Sequence, residues 1–360
     1  MREQLLWIAT AGYLTVALAS KLFYTQRLGP IKVLPLLYAL LFTASIAVGT
    51  NVPWKLKKAR KAFLVASVVI LFLIGPTYFL AGVLSYTLFI LYIRVHPKVN
   101  LPTIILLLSV ISLMVAVYHG VPLLRPELRH RESVFYFVSA YMAVLGLSFS
   151  PNFWLFTVGM TSAILATYRS LGIVVASAYT LRLLIERNIR LEKREVAILA
   201  VIALLILAVF VVRYQATVRN YETWRLSFLG TLFYRPGTTY TIYERLFNLG
   251  FPFGKAKLLF MSDPTGYVGR VFGKSVGYTY TIFGQPVYDF GVLGLLEGFL
   301  LGFAFKQASK NISTFVLAGS LSIVFIALGI NGFYLALMFF LVFVEREVGK
   351  WEEIIQSCSP

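Results

Sequence analysis

RYQATVRNYETWRLSFLGTLFYRPGTTYTIYERLFNLGFPFGKAKLLFMSDPTGYVGRVFGKSVGYTYTIFGQPVY, residues 213–288, is the long polar interruption in an otherwise apolar chain. It carries nine cations, Arg213, Arg219, Arg225, Arg235, Arg245, Lys255, Lys257, Arg270 and Lys274, against Glu222, Glu244 and Asp263. Tyrosine, phenylalanine and glycine are interleaved throughout. The side of the membrane on which this stretch falls decides how every other segment is read.

The flanking sequence leaves little choice of class. Hydrophobic residues make up 59% and charged residues 13%, with a mean hydropathy of +0.79, where soluble domains carry about 25% charged residues. The chain therefore reads as an all-α polytopic membrane protein, residues 1–360 forming one integral membrane domain. A spanning helix needs about 20 mainly apolar residues. Twelve spans follow, at 4–20, 33–50, 62–76, 78–94, 101–118, 134–150, 152–167, 170–186, 195–213, 288–305, 312–330 and 332–346. The apolar run 62–94 is divided at Gly75-Pro76 because Gly-Pro is a strong turn signal; one kinked helix there would invert everything upstream. The first apolar run lacks a small-residue cleavage pattern and leads into further spans, so it reads as a span, not a signal peptide. Cys358 is the sole cysteine, which excludes an intrachain disulfide.

Alternation of the spans gives an orientation. With both termini cytoplasmic, the inside connections hold sixteen cations, from Arg2 to Lys350, and the short outside connections hold seven: Lys21, Arg27, Lys32, Arg125, Arg129, Arg131 and Arg169. The positive-inside rule counts short loops and excuses long ones. The 213–288 stretch then becomes an extracytoplasmic loop between spans nine and ten, and the sequon at Asn311 lies at the cytoplasmic edge. A two-halved carrier with twelve spans would place its long loop between spans six and seven, so the off-centre loop favours an enzyme over a transporter or flippase.

The net charge of +18 calls for an anion: nucleic acid, lipid headgroup or substrate. Topology explains most of it, but not the cations placed outside. There, Arg125 and Arg129 lie in the loop between spans five and six, and Arg169 opens span eight. Arginine suits phosphate because its planar fork donates paired hydrogen bonds, whereas attraction to anionic lipid headgroups is the simpler alternative. Tyr278, Tyr280 and Tyr288 bring ring faces that can stack on sugars, against the alternative of an interfacial aromatic belt. Carboxylates are scarce: Asp263 and Asp289 are the only aspartates, and the first outside loop, 21–32, has none. A carboxylate pair holding a divalent cation is therefore disfavoured, and no His/Cys cluster suggests zinc. No metal and no cofactor is expected. Glu297 falls near the middle of span ten, where a charge is costly and usually paired or functional. Arg182, near the inner edge of span eight, reads as a snorkelling cation. Gly273-Lys274-Ser275 mimics the end of a phosphate-binding loop, but the leading glycine that motif needs is replaced by Val268.

Three segments together resemble the oligosaccharide repeat-unit polymerases, the O-antigen polymerase (Wzy-type) family, related in architecture to the O-antigen ligases. They are Gly120-Val-Pro-Leu-Leu-Arg125, Ala166-Thr-Tyr-Arg169-Ser-Leu-Gly172, and the run from Gly277 to Gly294 that closes the long loop. The resemblance implies a GT-C-like helical fold and a metal-independent glycosyltransferase. It would act in the cytoplasmic membrane on polyprenyl- or dolichyl-diphosphate-linked oligosaccharide, with membrane lipids around it and a chain-length regulator as a conceivable partner. It assigns Arg169, Arg235 and Arg245 to the leaving diphosphate with Glu244 beside them as base, and Arg125, Arg129, Arg270, Lys274, Tyr278, Tyr280, Tyr288 and Asp289 to substrate binding. The ligases use a histidine in the large loop; here His96, His119 and His130 lie elsewhere, leaving Glu222, Asp263 and His119 as other candidate bases. Polymerase and ligase are not separated by any residue.

Overall fold

The computed structural model describes residues 2–53, 60–95, 101–125, 128, 133–187, 193–220, 225–274 and 276–358. Arg129, His130, Glu222 and His96 lie outside the described residues. No strand occurs among those described. Sixteen helices follow in order: α1 (Leu5–Phe23), α2 (Thr25–Leu28), α3 (Val33–Asn51), α4 (Arg60–Ile74), α5 (Pro76–Val95), α6 (Leu101–His119), α7 (Ser133–Phe149), α8 (Phe153–Leu165), α9 (Arg169–Glu186), α10 (Lys193–Asn220), α11 (Phe228–Gly250), α12 (Pro264–Val271), α13 (Thr281–Phe290), α14 (Gly294–Ala308), α15 (Ile312–Leu328) and α16 (Gly332–Cys358). Four stretches among the described residues are long and apolar enough to cross a membrane: Arg2–Phe23, Val33–Asn51, Pro102–His119 and Thr281–Ala308. Val134–Phe149, Phe153–Leu165 and Ile312–Leu328 are shorter apolar helices.

The chain falls into two compact units, one made of residues 1–98, 232–311 and 325–360, the other of residues 99–231 and 312–324. In the first unit, α3 and α14 form the most extensive helix pair. Between apolar helices in lipid the driving force is close packing, which small residues permit. A Cβ on Gly302 would collide with the Ile46 carbonyl, and one on Gly49 with the Phe299 carbonyl, so the two backbones touch where side chains would hold them apart. α4 and α16 pack alongside, and α4 is separated from α5 at Gly75, whose φ of 153° only glycine tolerates well. The break expected at Gly75-Pro76 is thus present, and Leu71 packs against the Gly82 turn of α5.

The ends of the helices in this unit are sorted. Lys306 donates to the Val52 carbonyl (3.2 Å) and lies 4.0 Å from Glu3, bringing the end of α14, the end of α3 and the start of the chain together. Arg60 pairs with Glu345 at 2.7 Å and Arg94 with Glu347 at 3.5 Å. Lys21 and Lys32, at the end of α1 and the start of α3, gather with α11 instead.

The second unit packs α6, α7, α8 and α9 together with α10 against α9. Ser109, Ser139 and Ser162 join α6, α7 and α8 through buried hydroxyls, with Ser139 and Ser162 2.8 Å apart, the polar glue expected between helices in lipid. Arg182 does not simply reach for water. Its Nε lies 2.7 Å from Glu186 and its Nη1 donates to the Ser148 carbonyl at 3.0 Å.

The stretch read as a loop is largely ordered. α10 runs through Asn220, α11 occupies Phe228–Gly250, and α12 and α13 take up much of the remainder. α11 buries Thr239, Tyr240, Tyr243, Leu246, Phe247 and Gly250, a spacing of three and four residues that one helix face produces.

Candidate functional site

α11 is docked by polar contacts. Ser20 Oγ accepts from the Gly237 amide at 3.2 Å, and Tyr243 Oη donates to the Pro35 carbonyl at 2.5 Å. Glu244 turns inward and forms an ion pair with Lys21 while accepting from the Lys32 amide at 3.1 Å; Lys21 and Glu244 are 1% and 2% exposed. Lys21 also lies 5.7 Å from the centre of the Tyr240 ring. Burial, reinforced by the Glu244 carboxylate, pushes the Tyr240 hydroxyl above its ordinary range, so it stays protonated. Glu244 is thereby engaged in holding α11 to the end of α1 and the start of α3.

Its sequence neighbour Arg245 is exposed, with its guanidinium 5.9 Å from the centre of the Phe272 ring. Consecutive helix residues point about 100° apart, which is why one turns in and the other out. Arg235 is exposed on the same helix, about 15 Å along the axis at 1.5 Å per residue, too far to share one phosphate with Arg245.

Beside Arg245, residues Ile242, Leu246, Leu258, Val268, Tyr280 and Tyr288 form a buried cluster, against which Tyr267, Phe272 and Tyr278 pack. Tyr280 is fully enclosed: its hydroxyl donates to the Ile330 carbonyl at 2.9 Å and its amide to that of Leu328 at 3.2 Å. It is a buried residue of the core. Tyr288 is 2% exposed, shares a 3.2 Å hydrogen bond with the Tyr267 hydroxyl, and has Lys255 Nζ 5.9 Å from its ring centre. Tyr278 is only half-buried and remains the one of the three with ring surface to offer.

The carboxylates of this region are spoken for. Asp263 caps α12, accepting from the Gly266 amide at 2.9 Å. Asp289 is buried and accepts from the Lys257 (2.9 Å), Leu258 (2.7 Å) and Leu259 (2.7 Å) amides and from Gln285 Nε2 (3.0 Å). Its carboxylate is taken up by the protein's own backbone. Gln285 also donates to Glu297 at 3.2 Å, leaving Glu297 Oε1 with no protein partner. Among the described residues no group of three or more His, Cys, Asp or Glu could hold a metal ion. By contrast Arg245, Lys255, Lys257, Arg270 and Lys274 are all exposed, and none forms an ion pair among the described residues.

In the second unit the structure brings together the first two segments named for their resemblance. The Leu123 amide donates to the Leu165 carbonyl at 2.9 Å, and the Tyr136 hydroxyl to the Gly120 carbonyl at 2.9 Å. The 120–125 turn, with Arg125 exposed on it, therefore docks on the end of α8 just before Arg169. Ala116, Tyr136 and Ala166 are buried below, packed by Tyr168. Thr167 adopts φ 58°, a left-handed conformation costly for a β-branched residue, and it turns the chain so that Arg169 opens α9. The Arg169 guanidinium stands 5.0 Å from the centre of the Phe210 ring of α10.

Sequence reading passed over Gln285 and gave no site role to Lys21 or to the Lys255/Lys257 pair, which it counted only among the outside cations. Only the last had a local signal, two lysines within FPFGKAKLLF, a run with no acid.

No curated protein and no solved structure matches the chain. A family model described as "Putative O-antigen polymerase" matches residues 27–343, which includes all three segments named from the sequence and nearly every helix described above. On that match the chain belongs to the O-antigen polymerase family, whose role is polymerisation in glycan synthesis.

Proposed function

We propose that the protein is a metal-independent membrane glycosyltransferase that polymerises polyprenyl- or dolichyl-diphosphate-linked oligosaccharide repeat units on the outer face of the cytoplasmic membrane. It would do so with twelve spans, both termini inside, the 213–288 region outside, and a GT-C-like arrangement of helices. A hydroxyl oxygen of one repeat unit bonds to the anomeric carbon of another. The bond from that carbon to the diphosphate breaks, the electron pair leaves with the diphosphate lipid, and the hydroxyl proton passes to solvent. Cations matter here because charge develops on the leaving diphosphate, and donors already in place stabilise it without reorganising.

The observation that carries this reading is the set of exposed cations Arg245, Lys255, Lys257, Arg270 and Lys274, with Arg245 near Phe272 and Lys255 near Tyr288 of one aromatic cluster and no ion pair to any of the five among the described residues. Uncompensated positive charge is expensive in self-repulsion and is accounted for by an anionic ligand. Arg169 and Arg125 remain proposed cations on the strength of their segments, and Arg235 as a more distant contact.

The test is incubation of purified protein with lipid-diphosphate oligosaccharide, without nucleotide sugar or divalent metal. A ladder of longer lipid-linked products that survives EDTA and is lost in Arg169→Ala supports the reading. A single transfer to a foreign acceptor points to a ligase. Normal laddering in Arg169→Ala, Arg235→Ala and Arg245→Ala alike removes the proposed cations.

A further inference from the structure

We propose that the loop around 254–259, clamped on Asp289, is the cradle for a diphosphate, with Lys255 and Lys257 as its binding cations and Asp289 as the residue that positions them. The inference rests on the glycosyltransferase reading and assigns its anion to a specific loop.

The clamp works through both parts of residues 288 and 289. The Lys255 amide donates to the Tyr288 carbonyl at 2.8 Å and the Ala256 amide to the Asp289 carbonyl at 2.7 Å. One residue further on, the Asp289 carboxylate takes the three successive amides of Lys257, Leu258 and Leu259. The loop approaches so closely that a Cβ on Gly254 would strike the Asp289 carbonyl. Ala256, between the two lysines, is held at φ 45°, a left-handed conformation that L-residues other than glycine seldom adopt. Such outliers persist where surrounding contacts over-determine them, and they cluster at ligand clamps.

This arrangement determines what kind of ligand the loop takes. Its amides are spent on Asp289, so an anion meets ammonium groups and not backbone donors. The Asp289 charge is spent on those same amides and on Gln285, so it does not neutralise the lysines, which are exposed and form no ion pair among the described residues. The Lys255 ammonium lies 5.9 Å from the centre of the Tyr288 ring, whose hydroxyl is tied to Tyr267. A hydrogen-bonded backbone carrying two cations with no ion pair among the described residues, with Arg245 against Phe272 of the neighbouring aromatic cluster, fits a compact dianionic or trianionic group better than a single headgroup phosphate. Pre-ordering also reduces the entropy lost on binding.

Calorimetric titration of the full chain in non-ionic detergent, with inorganic pyrophosphate and with farnesyl diphosphate as probes, decides the matter. Lys255→Ala/Lys257→Ala should weaken both probes at least about tenfold, as expected for lost hydrogen bonds to a charged group, with an unchanged melting temperature. Asp289→Asn should weaken them to a similar degree. Combined with the lysine changes it should add nothing, because a residue acting through two others is non-additive with them. Additive losses, or a fall in melting temperature with affinity intact, would make Asp289 merely structural and overturn its role. Equal competition by phosphatidylglycerol micelles would turn the lysines into a lipid-headgroup contact and overturn the cradle. If Asp289→Asn does not fold, the lysine pair decides alone. Intact pyrophosphate affinity there, with affinity lost in Arg245→Ala/Arg270→Ala, sinks the cradle and leaves the glycosyltransferase reading standing; a normal product ladder in every cation variant sinks that reading itself.

Discussion

Lys21 and Lys255 belong to the same unit, and each lies near a buried tyrosine ring, Tyr240 at 5.7 Å and Tyr288 at 5.9 Å. Their surroundings are otherwise opposite. Lys21 is 1% exposed and ion-paired with Glu244; Lys255 is exposed, and the carboxylate beside it is occupied by backbone amides. The difference teaches how to sort cations in a basic membrane protein. A paired, buried cation holds helices together, and a cation left exposed beside an acid that is itself consumed is held for something that arrives.

The sharpest way to break this comparison is to remove one half of the buried pair. Glu244→Ala leaves the Lys21 ammonium enclosed without its partner, and the loss should be about 3–5 kcal/mol, read as a lowered denaturation midpoint in detergent. Lys21→Met with Glu244→Leu should recover most of that loss, because an apolar pair of similar volume needs no desolvation repaid. If Glu244 were instead the base, the double variant would be stable and lack product laddering even with a saturating donor, while retaining pyrophosphate affinity.

A packing defect elsewhere in the unit sharpens the contrast. Gly302→Leu forces α14 away from the Ile46 carbonyl of α3 and should cost about 1–3 kcal/mol by overpacking. Farnesyl diphosphate affinity, measured well below the lowered midpoint, should be unchanged. Affinity that falls in step with stability would mean that the cation cluster is assembled by the whole helix packing and not by its own loop.

The reach of sequence over these features follows from how local each one is. Membrane class and the break at Gly75 depend on nearby residues, and both were readable. The helix at 228–250 was hidden by Pro236, Gly237 and a polar composition, although the spacing Tyr240, Tyr243, Phe247, Gly250 was present in the sequence. Glu244 looked like the companion of Arg245 because they are adjacent, whereas neighbours on a helix diverge. Its true partner, Lys21, is 223 residues away, and no pattern in one sequence reports that. Tyr280 was read as a substrate contact for its ring face and Asp289 for its place in the 277–294 run; close backbone approaches at Gly291 and Gly294 show that run packed into the core.

The smallest effect is expected where a cation is steadied by an aromatic ring alone. Arg245 stands 5.9 Å from the centre of Phe272 and has no ion pair among the described residues. At an exposed site such a contact is worth about 0.5–1 kcal/mol. Phe272→Leu keeps apolar packing against the buried cluster but removes the ring's negative face, so diphosphate affinity should fall about two- to fivefold at an unchanged melting temperature, the same free energy read as an equilibrium constant. Arg245→Ala should fall further, since it removes the charge as well as its orientation. In an Arg245→Ala background the Phe272 change should then have no effect, because the ring acts only through the guanidinium. A Phe272→Leu loss that persists without Arg245 would show the ring touching the ligand directly, and would move it from steadying a cation to stacking on a sugar.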